Sequence, residues 1–280
     1  MPDIRRPVRS IRWGSRLAAG VLLSWLAACA GPGGTTAGGA RTADGKDIAT
    51  ASDQTDADRR AKLHMELAGG YYSRGQFTVS LDEVKQSLAA KPDSADAYNL
   101  RGLIYAALND PGTAEESFRH ALQLHPGDPD TLHNYGWLLC QQQRWADADA
   151  QFVAALAAPN YLGGSRTLLA QGVCQARAGQ LPEAERTLSH AFELDPANPV
   201  TAVNLTEVLY RRGQYDRARF YIRRVNSKDE LASAQTLWIA ARIEKKLGND
   251  EGVRMIGVQM HQRFPQAPET QAFDRGSFND

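Results

Sequence analysis

The patterns that mark catalytic or metal sites are missing from this 280-residue chain. Its six histidines are scattered and include no HExxH pair, the helical spacing that binds zinc in many hydrolases. No serine lies in a nucleophile elbow. The glycines within 31–34 have neither a strand before them nor a helix directly after them, as a phosphate loop requires. These absences predict a protein that is not an enzyme and uses no cofactor or metal.

An excess of charge of one sign is also missing, because 32 basic residues balance 32 acidic residues. Residues 1–28, a predicted cleavable segment, contain five of the arginines and one aspartate, so the remaining chain has a formal net charge of −4. A mildly acidic protein has no broad attraction for phosphate backbones. We therefore expect no nucleic-acid partner.

The first 28 residues are predicted to be a lipoprotein signal peptide. A segment with five arginines precedes an apolar stretch at 17–28, which is too short to span a bilayer comfortably. The stretch ends in Leu-Ala-Ala-Cys at 26–29, which resembles the lipobox whose cysteine is acylated and becomes the new N-terminus. The alternative is an ordinary secretory signal followed by a chance cysteine.

Membrane attachment is expected through acylated Cys29, because two or more acyl chains give stable anchoring in lipid. Residue 30 is Ala, and not the Asp that resembles an inner-membrane retention signal. We therefore expect a lipid-anchored protein at the periplasmic face of the outer membrane. Residues 29–58 contain almost no large apolar side chain and are predicted to be a flexible linker with a reach of roughly 30 Å.

Residues 59–280 are organised as internal repeats. Pro92 and Pro126 are 34 residues apart, the period of the tetratricopeptide repeat. A repeat that begins at Ala95 has small, aromatic and helix-ending residues at the expected positions. These are Tyr98, Gly102, Tyr105, Ala114, Phe118, Ala121 and Pro126. The fold class predicted is an all-α tetratricopeptide-repeat superhelix of about six helix-turn-helix repeats, following the signal peptide and tether.

The other blocks match this pattern less fully. Blocks that begin near residues 61, 129, 165 and 199 share its spacing, and a degenerate sixth block begins near Ser233 with Trp238, Ile239, Ile243 and Ile256. Four glycines fall at the predicted turn between two helices, where a left-handed backbone is often required. They are Gly75, Gly179, Gly213 and Gly248. The connection at 159–164 is longer than the period allows.

Stacking of such repeats creates a concave groove lined by the first helix of each repeat. Aromatic and aliphatic residues there suit an apolar peptide or an amphipathic helix. The alternative for each residue is that it packs between neighbouring first helices. The predicted groove residues are Tyr72, Asn99, Leu103, His133, Trp137, Leu169, Val173, Val203, Tyr210 and Arg211.

Cys140 and Cys174 lie one period apart in the first helices of the third and fourth repeats. One period brings equivalent surfaces of adjacent repeats together, and an exported domain meets an oxidising compartment. We predict a disulfide between these cysteines. The alternative is two separately buried thiols.

The fifth repeat is basic in an otherwise acidic domain. Such a run could contact an acidic partner or lipid headgroups, whereas the simpler interpretation is an exposed helix with local ion pairs. The basic residues are Arg211, Arg212, Arg217, Arg219, Arg223, Arg224 and Lys228.

The chain resembles the type IV pilus biogenesis and stability lipoproteins, which are described as pilotins of the pilus secretin. The resemblance covers roughly residues 59–276 and includes the cysteine pair. Its most specific segments are 134–140, 144–156, 172–174 and 263–265, followed by Glu269, Gln271, Ala272 and Phe273. The chain departs from the family's pattern in the sixth repeat, where Gly252 and Gln259 leave the number of repeats open.

The resemblance implies a lipoprotein that binds the type IV pilus secretin and promotes its localisation, multimerisation or stability. We therefore expect a non-catalytic assembly factor for pilus biogenesis. The alternative is a general envelope scaffold for peptidoglycan enzymes or for outer-membrane protein assembly.

Overall fold

The computed structural model describes residues 55–278, in which thirteen α-helices and no strand occur. Twelve of the helices form six consecutive antiparallel pairs, and the short thirteenth helix follows the last pair. The predicted all-α superhelix of six repeats is therefore confirmed. The helices are α1 (Asp56–Ser73), α2 (Phe77–Ala90), α3 (Ala95–Ala107), α4 (Pro111–Leu124), α5 (Pro129–Gln141), α6 (Trp145–Leu156), α7 (Gly164–Arg177), α8 (Leu181–Leu194), α9 (Pro199–Arg211), α10 (Tyr215–Asn226), α11 (Ala234–Lys246), α12 (Asp250–Arg263) and α13 (Pro268–Asp274).

Local sequence determines where these helices begin. The side chains of Ser94, Asp128, Asn198 and Ser233 each accept a hydrogen bond from a backbone N–H in the first turn of a first helix. A cap of this kind stabilises a helix by about 1 kcal/mol relative to alanine. Such caps recur in the second, third, fifth and sixth repeats, whereas α7 of the fourth repeat begins after Gly163 without a side-chain cap.

The turn within each pair requires a left-handed backbone. Gly75, Gly179, Gly213 and Gly248 supply it with φ between 69° and 80°, as predicted. The second and third repeats use Asn109 (φ 60°) and Gln143 (φ 61°) instead. Asparagine tolerates this conformation comparatively well, but glutamine does so less readily, which is why sequence patterns missed these two turns.

The two helices of a repeat cross where a glycine faces a large side chain sixteen residues later. A Cβ atom added to Gly102 would lie 2.6 Å from the ring of Phe118, and one added to Gly172 would lie 2.6 Å from Leu188. Phe118 and Leu188 are fully buried, so neither can move aside. Glycine at these positions therefore sets how closely the two helices approach.

The sixth repeat is a complete helix pair, α11 and α12, in which Ile239 and Ile243 are buried as core residues. Gly257 lies in the middle of α12, and the Phe273 ring of α13 fills the space above it. Trp238 is half-buried and contacts Phe273 and Phe278, with ring centroids 6.4 and 5.1 Å apart. Helix α13 thus covers the end of the array, which repeat proteins need for solubility.

The repeat domain begins slightly before the predicted residue 59, since α1 starts at Asp56 and is capped by Thr55. The predicted signal peptide, Cys29 and most of the linker lie outside the described residues. None of the helices within residues 55–278 is both long enough and apolar enough to cross a bilayer.

Changing Gly102 to Ala should lower the free energy of unfolding by about 1–3 kcal/mol, because the new methyl group would overlap the immobile Phe118 ring. The matched control is Gly69→Ala in α1, where a Cβ has no neighbouring atom within 4 Å. That change should be neutral or stabilise by up to about 1 kcal/mol, because alanine favours the helix. Thermal unfolding followed by circular dichroism measures both, and equal shifts in the two variants would contradict the crossing argument.

Candidate functional site

The first helices α1, α3, α5, α7, α9 and α11 lie side by side, each in contact with the next. All ten predicted groove residues belong to these helices. Of the ten, His133 is buried, Arg211 is exposed and the other eight are half-buried. We call the surface formed by these ten residues, together with Arg177 and Arg242, the first-helix face.

In the earlier repeats, polar members of this face connect one repeat to the next. Asn134 donates a hydrogen bond from Nδ2 to Oδ1 of Asn99 over 3.0 Å. The Nδ1 atom of His133 shares a hydrogen bond of 2.9 Å with Oγ1 of Thr167. Burial and, as a smaller effect, the positive charge of nearby Arg166 lower the pKa of His133 to about 4. His133 is therefore neutral and serves the contact between repeats.

Several apolar members of the face also pack into the core. Tyr72 contacts Phe77 with ring centroids 5.6 Å apart, and burial raises the pKa of its hydroxyl. Leu103, Leu169 and Val203 pack partly buried against the core clusters of the middle and later repeats. Much of the surface of these side chains is buried between helices, so only part of each side chain is available to a partner.

Two aromatic rings on the face lie beneath arginines from the following repeat. The guanidinium of Arg177 is 5.2 Å from the ring centroid of Trp137. The guanidinium of Arg242 is 4.6 Å from the ring centroid of Tyr210. Both distances are within the range of cation–π attraction. The face is therefore both aromatic and basic in its later repeats.

A shallow depression lies between α7 and α9 on the first-helix face. Its lining includes the predicted residues Val173 and Arg211, with Ala176, Arg177 and Glu207 beside them. Arg211 donates a hydrogen bond from Nη1 to the carbonyl of Ala176 over 3.0 Å, near the end of α7. Sequence reasoning missed Arg177, although it stands 34 residues before Arg211 at the equivalent position of its repeat.

A disulfide joins Cys140 of α5 to Cys174 of α7, with 5.8 Å between the two Cα atoms. Both cysteines are buried. The bond crosses the junction where the period lengthens, since Gly136 and Gly172 are further apart than Gly102 and Gly136. It therefore holds the first-helix face together where the repeat is irregular.

The longer connection before α7 is ordered by hydrogen bonds. The hydroxyl of Tyr161 lies 3.0 Å from Oγ1 of Thr167, and Arg166 binds Asp130 over 2.7 Å. A Cβ on Gly163 would overlap the Tyr161 ring, so glycine lets this ring fold back. As a result Leu162 is 99% exposed at the tip of the connection.

The basic run of the fifth repeat is largely neutralised within the chain. Arg212 and Arg217 both form ion pairs with Glu185. Arg219 and Arg223 pair with the buried carboxylate of Glu244, at 3.7 and 2.7 Å. The simpler interpretation, a helix with local ion pairs, accounts for these four arginines. Within residues 55–278 no cluster of three or more His, Cys, Asp or Glu could hold a metal ion.

Antiparallel helix pairs stacked with their first helices in one continuous face define a helical-repeat scaffold. Two family models of the tetratricopeptide repeat match the chain, one over residues 65–129 and 136–199 and the other over residues 175–237. The chain belongs to the tetratricopeptide-repeat family.

Among individual proteins, the chain is similar to two from the type IV pilus system. PilW, a widely conserved type IV pilus biogenesis factor, is 30% identical with a TM-score of 0.71, over 76% of this chain and 97% of PilW. The type IV pilus assembly protein PilF of Pseudomonas aeruginosa is 24% identical over 77% of this chain and 85% of PilF. A solved structure of Pseudomonas aeruginosa PilF matches with 23% identity and a TM-score of 0.69, covering 79% of this chain and all of the PilF chain, which supports the fold alone.

Changing His133 to Gln should make stability less dependent on pH between 6.5 and 4. The pKa of His133 is below its ordinary value in the folded protein, so the unfolded chain binds the proton first and stability falls as the pH falls through this window. At pH 4 the wild type should lose about 3 kcal/mol that the variant does not lose. Urea unfolding at several pH values measures this loss, and His190→Gln is the control at an exposed histidine. If the free energy of unfolding changes with pH in the same way in the wild type and in His133→Gln, the prediction is refuted.

Replacing both Cys140 and Cys174 by Ala should lower the free energy of unfolding by about 4 kcal/mol, since the disulfide closes a loop of 34 residues. Mass spectrometry of non-reduced peptides from trapped periplasmic protein should show the two cysteines linked. Two free thiols in that material would exclude the bond in the cell.

Proposed function

We propose that this chain is a non-catalytic lipoprotein of type IV pilus biogenesis that binds secretin subunits and promotes their localisation, multimerisation or stability. The observation that carries the proposal is the match to PilW, which extends over 97% of the chain in the solved PilW structure at 30% identity. The similarity covers 76% of this chain, far more than one repeat, so it is more specific than a match to the repeat pattern alone.

The site of action in this proposal is the periplasmic face of the outer membrane. Its support is the arginine-rich segment, the apolar stretch and the Leu-Ala-Ala-Cys motif at 26–29. Acylation of Cys29 would anchor the chain, and the linker would allow the repeat domain to move roughly 30 Å from the anchor. The Cys140–Cys174 disulfide fits an oxidising compartment such as the periplasm.

The proposed mechanism is differential binding. A scaffold shifts an assembly equilibrium only if it binds one state of its partner more tightly than another. The first-helix face is a preformed surface held by helix crossings and by the disulfide, so little order would be lost on binding. Binding of secretin subunits there, close to the membrane, would raise the concentration of subunits competent to assemble.

Deletion of the gene should abolish heat-resistant secretin multimers in outer-membrane fractions, or shift them to the inner membrane, while monomer persists. Unboiled gels of fractionated membranes, with wild-type and Cys29→Ala complementation, measure this. The Cys29→Ala protein should fail to incorporate palmitate and fail to restore multimers in the outer membrane. If deletion leaves the amount and location of multimers unchanged, the chain serves another partner, such as peptidoglycan enzymes or outer-membrane protein assembly.

A further inference from the structure

Three guanidinium groups on the first-helix face have no carboxylate partner among residues 55–278. Arg177 lies over Trp137, Arg211 bonds the carbonyl of Ala176, and Arg242 lies over Tyr210. They come from three successive first helices, α7, α9 and α11. The later part of the face therefore carries three guanidinium groups that form no ion pair within residues 55–278, although Glu207 lines the same depression as Arg177 and Arg211.

Other arginines of the later repeats do form ion pairs, as those of α10 and of the turn before it show. Arg212 and Arg217 share Glu185, and Arg219 and Arg223 share Glu244, whose side chain is only 4% exposed. Here the chain places buried or half-buried acids beside its arginines. Among residues 55–278, Arg177, Arg211 and Arg242 form no ion pair, and the acid nearest to them in the lining of the depression, Glu207, is shared by Arg177 and Arg211 without one.

Arg242 is half-buried and lies over an aromatic ring. Its Nε atom is buried and has no hydrogen-bond acceptor among the described residues, while its guanidinium lies 4.6 Å from the centre of the Tyr210 ring. Because this Nε atom is buried, it is not available to a partner, and the arginines of the face can offer only those guanidinium nitrogens that remain exposed. A carboxylate is the acceptor that matches the planar fork of arginine, because it can accept two N–H groups at once.

The surface between these arginines is partly apolar. The depression between Arg177 and Arg211 is lined by Val173, Ala176 and Val208, and Glu207 is its one carboxylate. An apolar side chain could enter this depression. The acidic groups of a bound segment would have to lie beside the guanidinium groups and away from the like charge of Glu207. This requirement restricts how the segment can lie on the face.

We propose that the first-helix face of the fourth to sixth repeats binds a segment of a partner protein that carries two carboxylates with apolar residues between them. Arg177 and Arg211 occupy equivalent positions on adjacent helices, and packed helices lie about 8–10 Å apart. An extended chain rises about 3.3 Å per residue, so acids three residues apart would span this distance. This inference rests on the proposed function only in taking this face as the partner-binding site, and it specifies the chemistry of the partner.

Two pools of fluorescent peptides test the proposal with the mature full-length protein. One pool carries Asp at positions i and i+3 with random apolar residues between and neutral flanks, and the matched pool carries Asn at both positions. Anisotropy titration should show tighter binding of the Asp pool, weakened by salt because ion pairs are screened. Equal binding of the two pools, or no binding of either, would overturn the proposal.

Arginine variants locate the binding. Arg177→Gln and Arg211→Gln should each weaken binding of the Asp pool by about 3- to 10-fold, the loss of one charge-assisted contact. Arg186→Gln and Arg254→Gln are matched controls, since these exposed arginines lie on second helices and pair only with Glu183 and Glu251 of their own helices. Equal losses in the controls would show unspecific attraction and overturn the proposal. Arg211 is exposed, so its variant is expected to fold even if a change at half-buried Arg242 disturbs the packing.

A lipid surface is the competing source of anionic groups. Vesicles of phosphatidylglycerol replace the peptides in a sedimentation assay with the same variants. Loss of vesicle binding in the Arg177 and Arg211 variants, together with no preference for the Asp pool, would overturn the peptide proposal in favour of lipid headgroups. The secretin assay is independent of the peptide assay. If secretin multimers depend on the protein but the Asp pool does not bind more tightly than the Asn pool, this inference alone is refuted. If the Asp pool binds more tightly but the multimers do not depend on the protein, the proposed function alone is refuted.

Discussion

The close crossing of two helices at a glycine is the constraint on which the rest of the structure depends. Where Gly102 meets Phe118 and Gly172 meets Leu188, the backbone of one helix lies directly against a buried side chain of the other. This contact fixes the separation within a pair, but a single pair still exposes apolar surface on both sides. Each pair must therefore stack on the next, and the stacking brings the first helices into one face.

The arrangement of charge follows from this stacking. Second helices receive acids from neighbouring repeats, as Glu185 and Glu244 show, so their arginines are paired inside the protein. First helices meet one another across aromatic and apolar side chains, and two arginines there, Arg177 and Arg242, lie over rings and form no ion pair within residues 55–278. Helix α10 and the first-helix face both carry arginines, but they differ in how far these arginines are available to the carboxylates of a partner. The difference supports the assignment of the first-helix face, and not the basic tenth helix, as the principal binding surface.

The disulfide and the longer connection act on the same junction. Between the third and fourth repeats the period lengthens, which by itself would alter the register of the first helices. The Cys140–Cys174 bond, the contact of His133 with Thr167 and the folded-back Tyr161 together tie α5 to α7. A separation of one 34-residue period predicted the cysteine pairing, although the longer junction means that the two positions are not equivalent, since Cys140 follows Gly136 by four residues and Cys174 follows Gly172 by two. Periodicity could not predict the Tyr161 contacts, which belong to a connection outside the repeat pattern.

The sequence by itself determined the repeat period, the four turn glycines and the placement of ten residues on the first helices, because each depends on residues close together in the chain or one period apart. It could not identify the turns at Asn109 and Gln143, since neither residue type is specific to a left-handed backbone. Only the tertiary structure decided that His133 is buried between repeats and that Arg242 covers Tyr210. Burial and ring contacts depend on how neighbouring helices pack, and a local pattern does not specify which side chain of the next repeat reaches across.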